Sequence, residues 1–234
     1  MAARCSSWTW LHSRERSARE KWSRLKPPMD PAALTHLQID ALREVTQIGC
    51  GAAATALAQL LGGRRVGMTV TEARVQPRGA LRARLSALGP RLTGVRLALR
   101  GGAEGELLLA WEKADAERLS ALLAASEMVG AESDTGQPDL SDSALMEVGN
   151  IVASAYLNAV AKVTGLMLLP SVPELVHGDA ETLAQSLAIA PDSPGEMLLL
   201  ETWLEVEGDA PTCGHVLIVS DAGSLDVLLG TLGL

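Results

Sequence analysis

Apolar residues recur at three- and four-residue spacing over two long stretches, about 34–61 and 140–164. That period places Leu42, Val45 and Leu60 on one side of the first stretch. It places Leu145, Val148, Val152, Ala155, Ala159 and Val163 on one side of the second. Each stretch therefore predicts a long amphipathic helix. After each comes a strand-like segment, Val66–Val75 and Leu166–Val176, and then a pair of apolar runs. The pairs are Gly94–Arg100 with Gly105–Trp111, and Met197–Val206 with Gly214–Val219. Turns rich in Gly, Pro and Asp separate the runs and predict antiparallel strands. Short helices are expected at Ala114–Ala125 and Ala222–Leu232, with an extra one over residues 179–189.

The two stretches also resemble each other. At an offset of 103 residues, nine of 23 pairs between 40–62 and 143–165 are identical, among them Leu42/Leu145, Glu44/Glu147, Val45/Val148 and Ile48/Ile151. Composition alone would give roughly two or three in a chain this rich in Ala and Leu. The expected organisation is one domain over 29–234 made of two repeats, about 34–130 and 138–234, linked by Asp134–Asp139. The fold class is α/β (α+β), a duplicated unit with two long helices on a mainly antiparallel sheet and a pseudo-two-fold relation between halves. A period near 100 is too long for a solenoid, whose repeats run about 20–50 residues.

At about 100° per residue, Ser143, Glu147 and Asn150 share one narrow stripe of the second helix, away from its apolar side. Asp40, Glu44 and Gln47 take the same angles on the first. A lone exposed Glu on a helix is ordinarily a solvated face. An Asn inside a helix is less comfortable, because its side chain competes for the backbone and prefers caps and turns. A carboxylate with a carboxamide three residues on, present twice, points to a site.

Composition narrows the chemistry. The 234 residues contain no Phe, one Tyr and five Trp, so the core must be aliphatic, and stacking platforms for single-stranded nucleic acid are nearly absent. The net charge of −8 hides a basic start: residues 1–28 hold seven of the 20 Lys/Arg and two of the 28 Asp/Glu, leaving 13 basic against 26 acidic groups beyond. An acidic body argues against DNA or an anionic membrane as partner. No stretch reaches the roughly 18 uninterrupted apolar residues of a membrane span, so membrane insertion is not expected. Residues 1–28 show no sustained apolar period and end in Pro27-Pro28. They read as a disordered extension, or as sequence upstream of a true start at Met29. Cys5, Cys50 and Cys213 are too few and scattered for a disulfide framework or zinc ribbon. They read as reduced, with Cys50 and Cys213 as small core residues, in a cytoplasmic protein. His12, His36, His177 and His215 lack metal-ligand spacing. Gly49-Cys50-Gly51-Ala52-Ala53-Ala54 imitates a dinucleotide fingerprint but lies inside a helix, where small residues serve close packing.

With these residues in place, the segments SALMEVGNIVASAYLNAVAKVTGLMLLPSVP and DALREVTQIGCGAAATALAQLLGG resemble the paired helices of the CheC/CheX/FliY chemotaxis phosphatases. The family signature is Asp or Ser, three residues, Glu, two residues, Asn, then 22 residues and Pro. Ser143, Glu147, Asn150 and Pro173 match it throughout. In the first half Asp40 and Glu44 fit, but Gln47 replaces Asn and Val70 stands where Pro is expected. The two-site length, without a fused switch domain, looks more like CheC than CheX or FliY. The resemblance implies hydrolysis of the aspartyl phosphate of a CheY-type response regulator in chemotaxis signalling. Glu147 and Asn150 would be the catalytic pair, Ser143 and Pro173 supporting positions, and Asp40, Glu44 and Gln47 a degenerate second site. It implies no cofactor of the chain's own, the Mg²⁺ belonging to the regulator. The alternative it implies is a non-catalytic adaptor that binds and regulates the receptor deamidase CheD.

Overall fold

The computed structural model describes residues 34–127, 138–187, 196–207, 212–220 and 222–234. The expectations for residues 1–28 and for most of the link fall outside them; Pro138 and Asp139 already belong to the second long helix.

Thr35 starts the first helix, α1 (His36–Leu60), with a reciprocal cap. Gln38 N–H donates to Thr35 Oγ1 at 3.3 Å, and Thr35 N–H donates to Gln38 Oε1 at 3.0 Å, so two amides that lack helical partners are satisfied. Gly62 and Gly63, at φ of +67° and +87°, end it in the left-handed region. Then follow β1 (Val66–Pro77), α2 (Ala80–Ser86), β2 (Leu92–Gly101), β3 (Gly105–Glu112) and α3 (Lys113–Glu127). The second run comprises α4 (Pro138–Thr164), β4 (Leu168–Pro170), β5 (Glu174–Gly178), α5 (Ala180–Ser186), β6 (Glu196–Val206), β7 (Thr212–Ser220) and α6 (Ala222–Thr231).

All described strand pairs are antiparallel, in the order β1-β6-β7-β3-β2, with β4 and β5 both on the outer side of β2. The connectivity interlocks the two runs. β1 comes from the first and, among the described strands, pairs only with β6 of the second, from Val66↔Val206 to Pro77↔Glu196. β4 and β5 come from the second and pair with β2 of the first.

Alternation along β3 shows how the sheet is covered. Leu107, Leu109 and Trp111 face a core built with Leu42, Val45 and Leu57 of α1, Val148 and Val152 of α4, Leu119 of α3 and Leu225 of α6. Leu108 and Ala110 face a smaller core with Leu81 and Leu85 of α2 and Leu183 and Ala184 of α5. The aliphatic interior is the expected consequence of a chain without Phe.

Three expectations need correction. The segment Leu166–Val176 is not one strand. Pro173 has no N–H for a ladder, and Ser171 turns inward: its N–H donates to Ala98 O at 2.8 Å while its hydroxyl accepts from Ala98 N–H at 2.9 Å. The helix at 179–189 is α5, capped by Asp179, and it is not extra. It packs against α2, which the sequence reading missed because seven residues give too short a period to register. The buried arc of α4 is also turned by roughly 60° from the one expected. Ala153, Tyr156, Leu157 and Val160 are buried while Val163 is 45% exposed, because α4 is covered by α1 as well as by the sheet. For the same reason α4 is more apolar than a one-sided helix. By length and composition alone its stretch Ser141–Thr164 reaches the level of a membrane-crossing helix, as the core helix of a folded domain also can.

Gly49 permits the close approach of α1 and α4. A Cβ there would lie 2.4 Å from the Tyr156 ring, so the small-residue reading of this segment holds at Gly49. It does not hold at Gly51, which is exposed and faces open space.

Candidate functional site

On α4, Ser143, Glu147 and Asn150 are all exposed. The turn that carries them is fixed from the opposite side. Gly149 is buried, and a Cβ on it would come within 2.4 Å of Val95 Cγ1, so α4 lies directly on β2 here. A larger residue would lift the helix and move the stripe. Among the described residues, the side chains of Glu147 and Asn150 make no hydrogen bond or ion pair within the chain. The Asn150 carboxamide is thus free to donate to and accept from a molecule outside the chain. Pro173 stands half-buried in the break between β4 and β5, the edge strands next to α4.

Around this edge the surface is apolar. Met167 and Leu169 are 54% and 56% exposed, and Val172 is 81% exposed. The residues 103 positions earlier are Arg64, Val66 and Thr69, so the first half has no such strip.

Asp40, Glu44 and Gln47 are also exposed, on α1. Gln47, however, is occupied. Its Nε2 donates to Met68 O at 3.3 Å, and its Oε1 accepts from Val70 N–H at 3.4 Å. β1 forms one edge of the sheet, and β4 and β5 lie at the other. The structure therefore does not bring the two polar triplets together. It sets them at opposite edges, one free and one bonded to the backbone.

Sequence reading missed a second polar cluster. Glu201 sits mid-strand in β6, 1% exposed, and accepts from both Arg84 and His215, the latter at 2.9 Å through Nδ1. Burial alone would raise its carboxyl, but the hydrogen bonds and charges of His215 and Arg84 hold it below the ordinary range. The signal was present: Glu201 ends a run of four apolar residues, Met197–Leu200, with a charge. Trp203 meets His215 edge-on at 5.0 Å, and both line a groove of about 250 Å³ with Asp115 and Cys213. Cys213 is therefore half-exposed rather than a core residue; its thiol is raised by partial burial and by the Asp115 and Glu205 charges. Cys50 does lie in the core, its thiol pushed up by burial. Among the described residues, no three His, Cys, Asp or Glu side chains converge as a metal site.

Comparison with known proteins supplies the remaining context. Residues 140–177 match the CheC-like family, a span that runs from α4 to Pro173 and into β5. The chain is 36% identical over 138 residues to the CheY-P phosphatase CheC of Bacillus subtilis. That match covers 59% of this chain and 65% of the Bacillus protein, just under two thirds of its length. A CheC1 protein of Halobacterium salinarum is 29% identical over 160 residues, 68% of this chain and 76% of that one. The crystal structure of FliY from Thermotoga maritima superposes with a TM-score of 0.67 at 20% identity, covering 86% of this chain and 98% of that one, which shows a shared fold. Residues 140–177 thus resemble the CheC-like family, the longer sequence matches are to CheC proteins, and the fold is shared with FliY.

Proposed function

We propose that this protein hydrolyses the aspartyl phosphate of a CheY-type response regulator, with Asn150 and Glu147 as the working pair. The observation that carries the reading is the Asn150 carboxamide: exposed in mid-helix, without a partner in the described chain, and one turn from an exposed carboxylate. The names of the Bacillus and Halobacterium relatives support the substrate class. The shared fold alone would not, since one fold hosts many functions.

Phosphoryl transfer asks little covalent help of an enzyme and much positioning, because the attacking and leaving oxygens must lie in line with phosphorus. A carboxamide both accepts from and donates to a single water, which can aim its lone pair. Glu147, about one turn away, can pair with a cation on the regulator and fix the register of the two proteins. The apolar strip Met167, Leu169 and Val172 supplies area at the same edge that a charge pair alone would lack. Gathering water and phosphate in this way can contribute up to roughly 7–11 kcal/mol in ideal cases. The divalent ion in this reading belongs to the regulator.

The test is the decay of a purified, phosphorylated CheY-type regulator with and without this protein. Faster decay in proportion to added protein is the expected result. Decay that never departs from the intrinsic rate would overturn the proposal.

A further inference from the structure

The carboxamide on each long helix meets the neighbouring sheet edge differently, and the difference is chemical. Among the described strands β1 pairs with β6 alone, so its outward amides and carbonyls face no described strand. Met68 C=O and Val70 N–H face the same way, being an acceptor and a donor two residues apart on one edge. Gln47 meets both, donating to the first at 3.3 Å and accepting from the second at 3.4 Å, as the peptide of an added strand would. Both ends of its carboxamide are spent on the chain's own backbone.

At the other edge this arrangement cannot form. The residue 103 positions after Val70 is Pro173, which has no N–H to donate. The residue after Met68 by the same offset is Ser171, whose N–H and hydroxyl are turned inward to Ala98. Asn150 is also one methylene shorter than Gln47, which further limits its reach.

We propose that Gln47 and Val70 form a latch that closes the first site, and that Pro173 is a positioning residue that keeps Asn150 open by withholding the matching donor. The catalytic half of this inference rests on the phosphatase reading above; the latch itself does not. The first triplet is then more than a weaker copy. Its carboxamide is competed away from water by the edge it sits on, and the same bonds protect that edge from pairing with another chain.

Two measurements separate the parts. Amide hydrogen exchange at Val70 reads the latch without any regulator. In Gln47→Ala, the Val70 N–H should exchange about tenfold faster or more, the change expected for losing one hydrogen bond of roughly 1.4 kcal/mol. An unchanged rate overturns the latch, whatever the enzymology shows. Activity is then read in an Asn150→Ala background, where the second site is silent. Adding Gln47→Asn with Val70→Pro should restore regulator dephosphorylation to at least about tenfold above Asn150→Ala alone. No recovery, in a folded protein whose unsubstituted parent is active, overturns the claim that the latch is what closes the first site. If the parent itself never accelerates decay, the phosphatase reading falls and the exchange result still decides the latch.

Discussion

Two carboxamides at equivalent places, one bonded and one free, assign different work to similar side chains. Glu147 is exposed and its side chain has no partner among the described residues, so its charge is available to a second molecule. Glu147→Lys should raise KM for the phosphorylated regulator about tenfold with a smaller effect on kcat, as expected when a charge pair of roughly 1–2 kcal/mol turns repulsive. Its melting temperature should stay at the parent value; a matched fall in kcat would instead make Glu147 part of the chemistry. Glu201 is the opposite case, a buried carboxylate held by Arg84 and His215. Its carboxyl titrates lower in the folded state than in the unfolded one. The stability it contributes is therefore complete above the ordinary glutamate range and is lost as pH falls through its lowered folded value. Thermal melts between about pH 7 and pH 3 should show a steeper loss in the parent than in Glu201→Gln. Equal slopes would mean that the carboxylate contributes nothing specific.

At the scale of elements, the packing of α1 on α4 turns on one glycine. A methyl at residue 49 would enter the Tyr156 ring, whereas one at Gly51 would meet nothing. Gly49→Ala should cost about 1–3 kcal/mol as an overpacking defect. Gly51→Ala should be neutral or stabilise by up to about 1 kcal/mol, since an exposed helical Gly is replaced by a better helix former. Urea unfolding of the two variants checks the pair, and similar values would contradict the close approach. Both long helices were legible in the sequence because 25 and 27 residues hold several turns of apolar period. The side of α4 that is buried was not legible. Periodicity locates an apolar stripe but cannot say that a second helix covers its flank at Ala153 and Leu157. Nor could it show α2, where Leu81 and Leu85 alone mark the buried side.

Over the whole molecule, strand exchange makes each run of elements depend on the other. Without the second run, β1 loses its partner in β6 and β3 loses its partner in β7. A fragment of residues 34–127 should therefore show neither a cooperative melt nor native-like circular dichroism. A cooperative transition in that fragment would mean that the first run can close its own sheet. The two-edge layout also explains how much of the site was visible beforehand. Ser143, Glu147, Asn150 and Pro173 stand in a spacing readable from the chain. That Gln47 spends its amide on Met68 and Val70 depends on β1 being an edge, which is a property of strand order and is written in no local segment. In the proposed phosphatase, Asn150 orients the attacking water while lying outside the structural core. The most direct measurement is single-turnover decay of regulator phosphate with Asn150→Ala beside the unsubstituted protein, both shown to melt at the same temperature. Asn150→Ala should lose roughly a hundredfold or more of the accelerated rate, the scale expected when a reacting group loses its positioning. Retention of the full rate in a stably folded Asn150→Ala protein would contradict it.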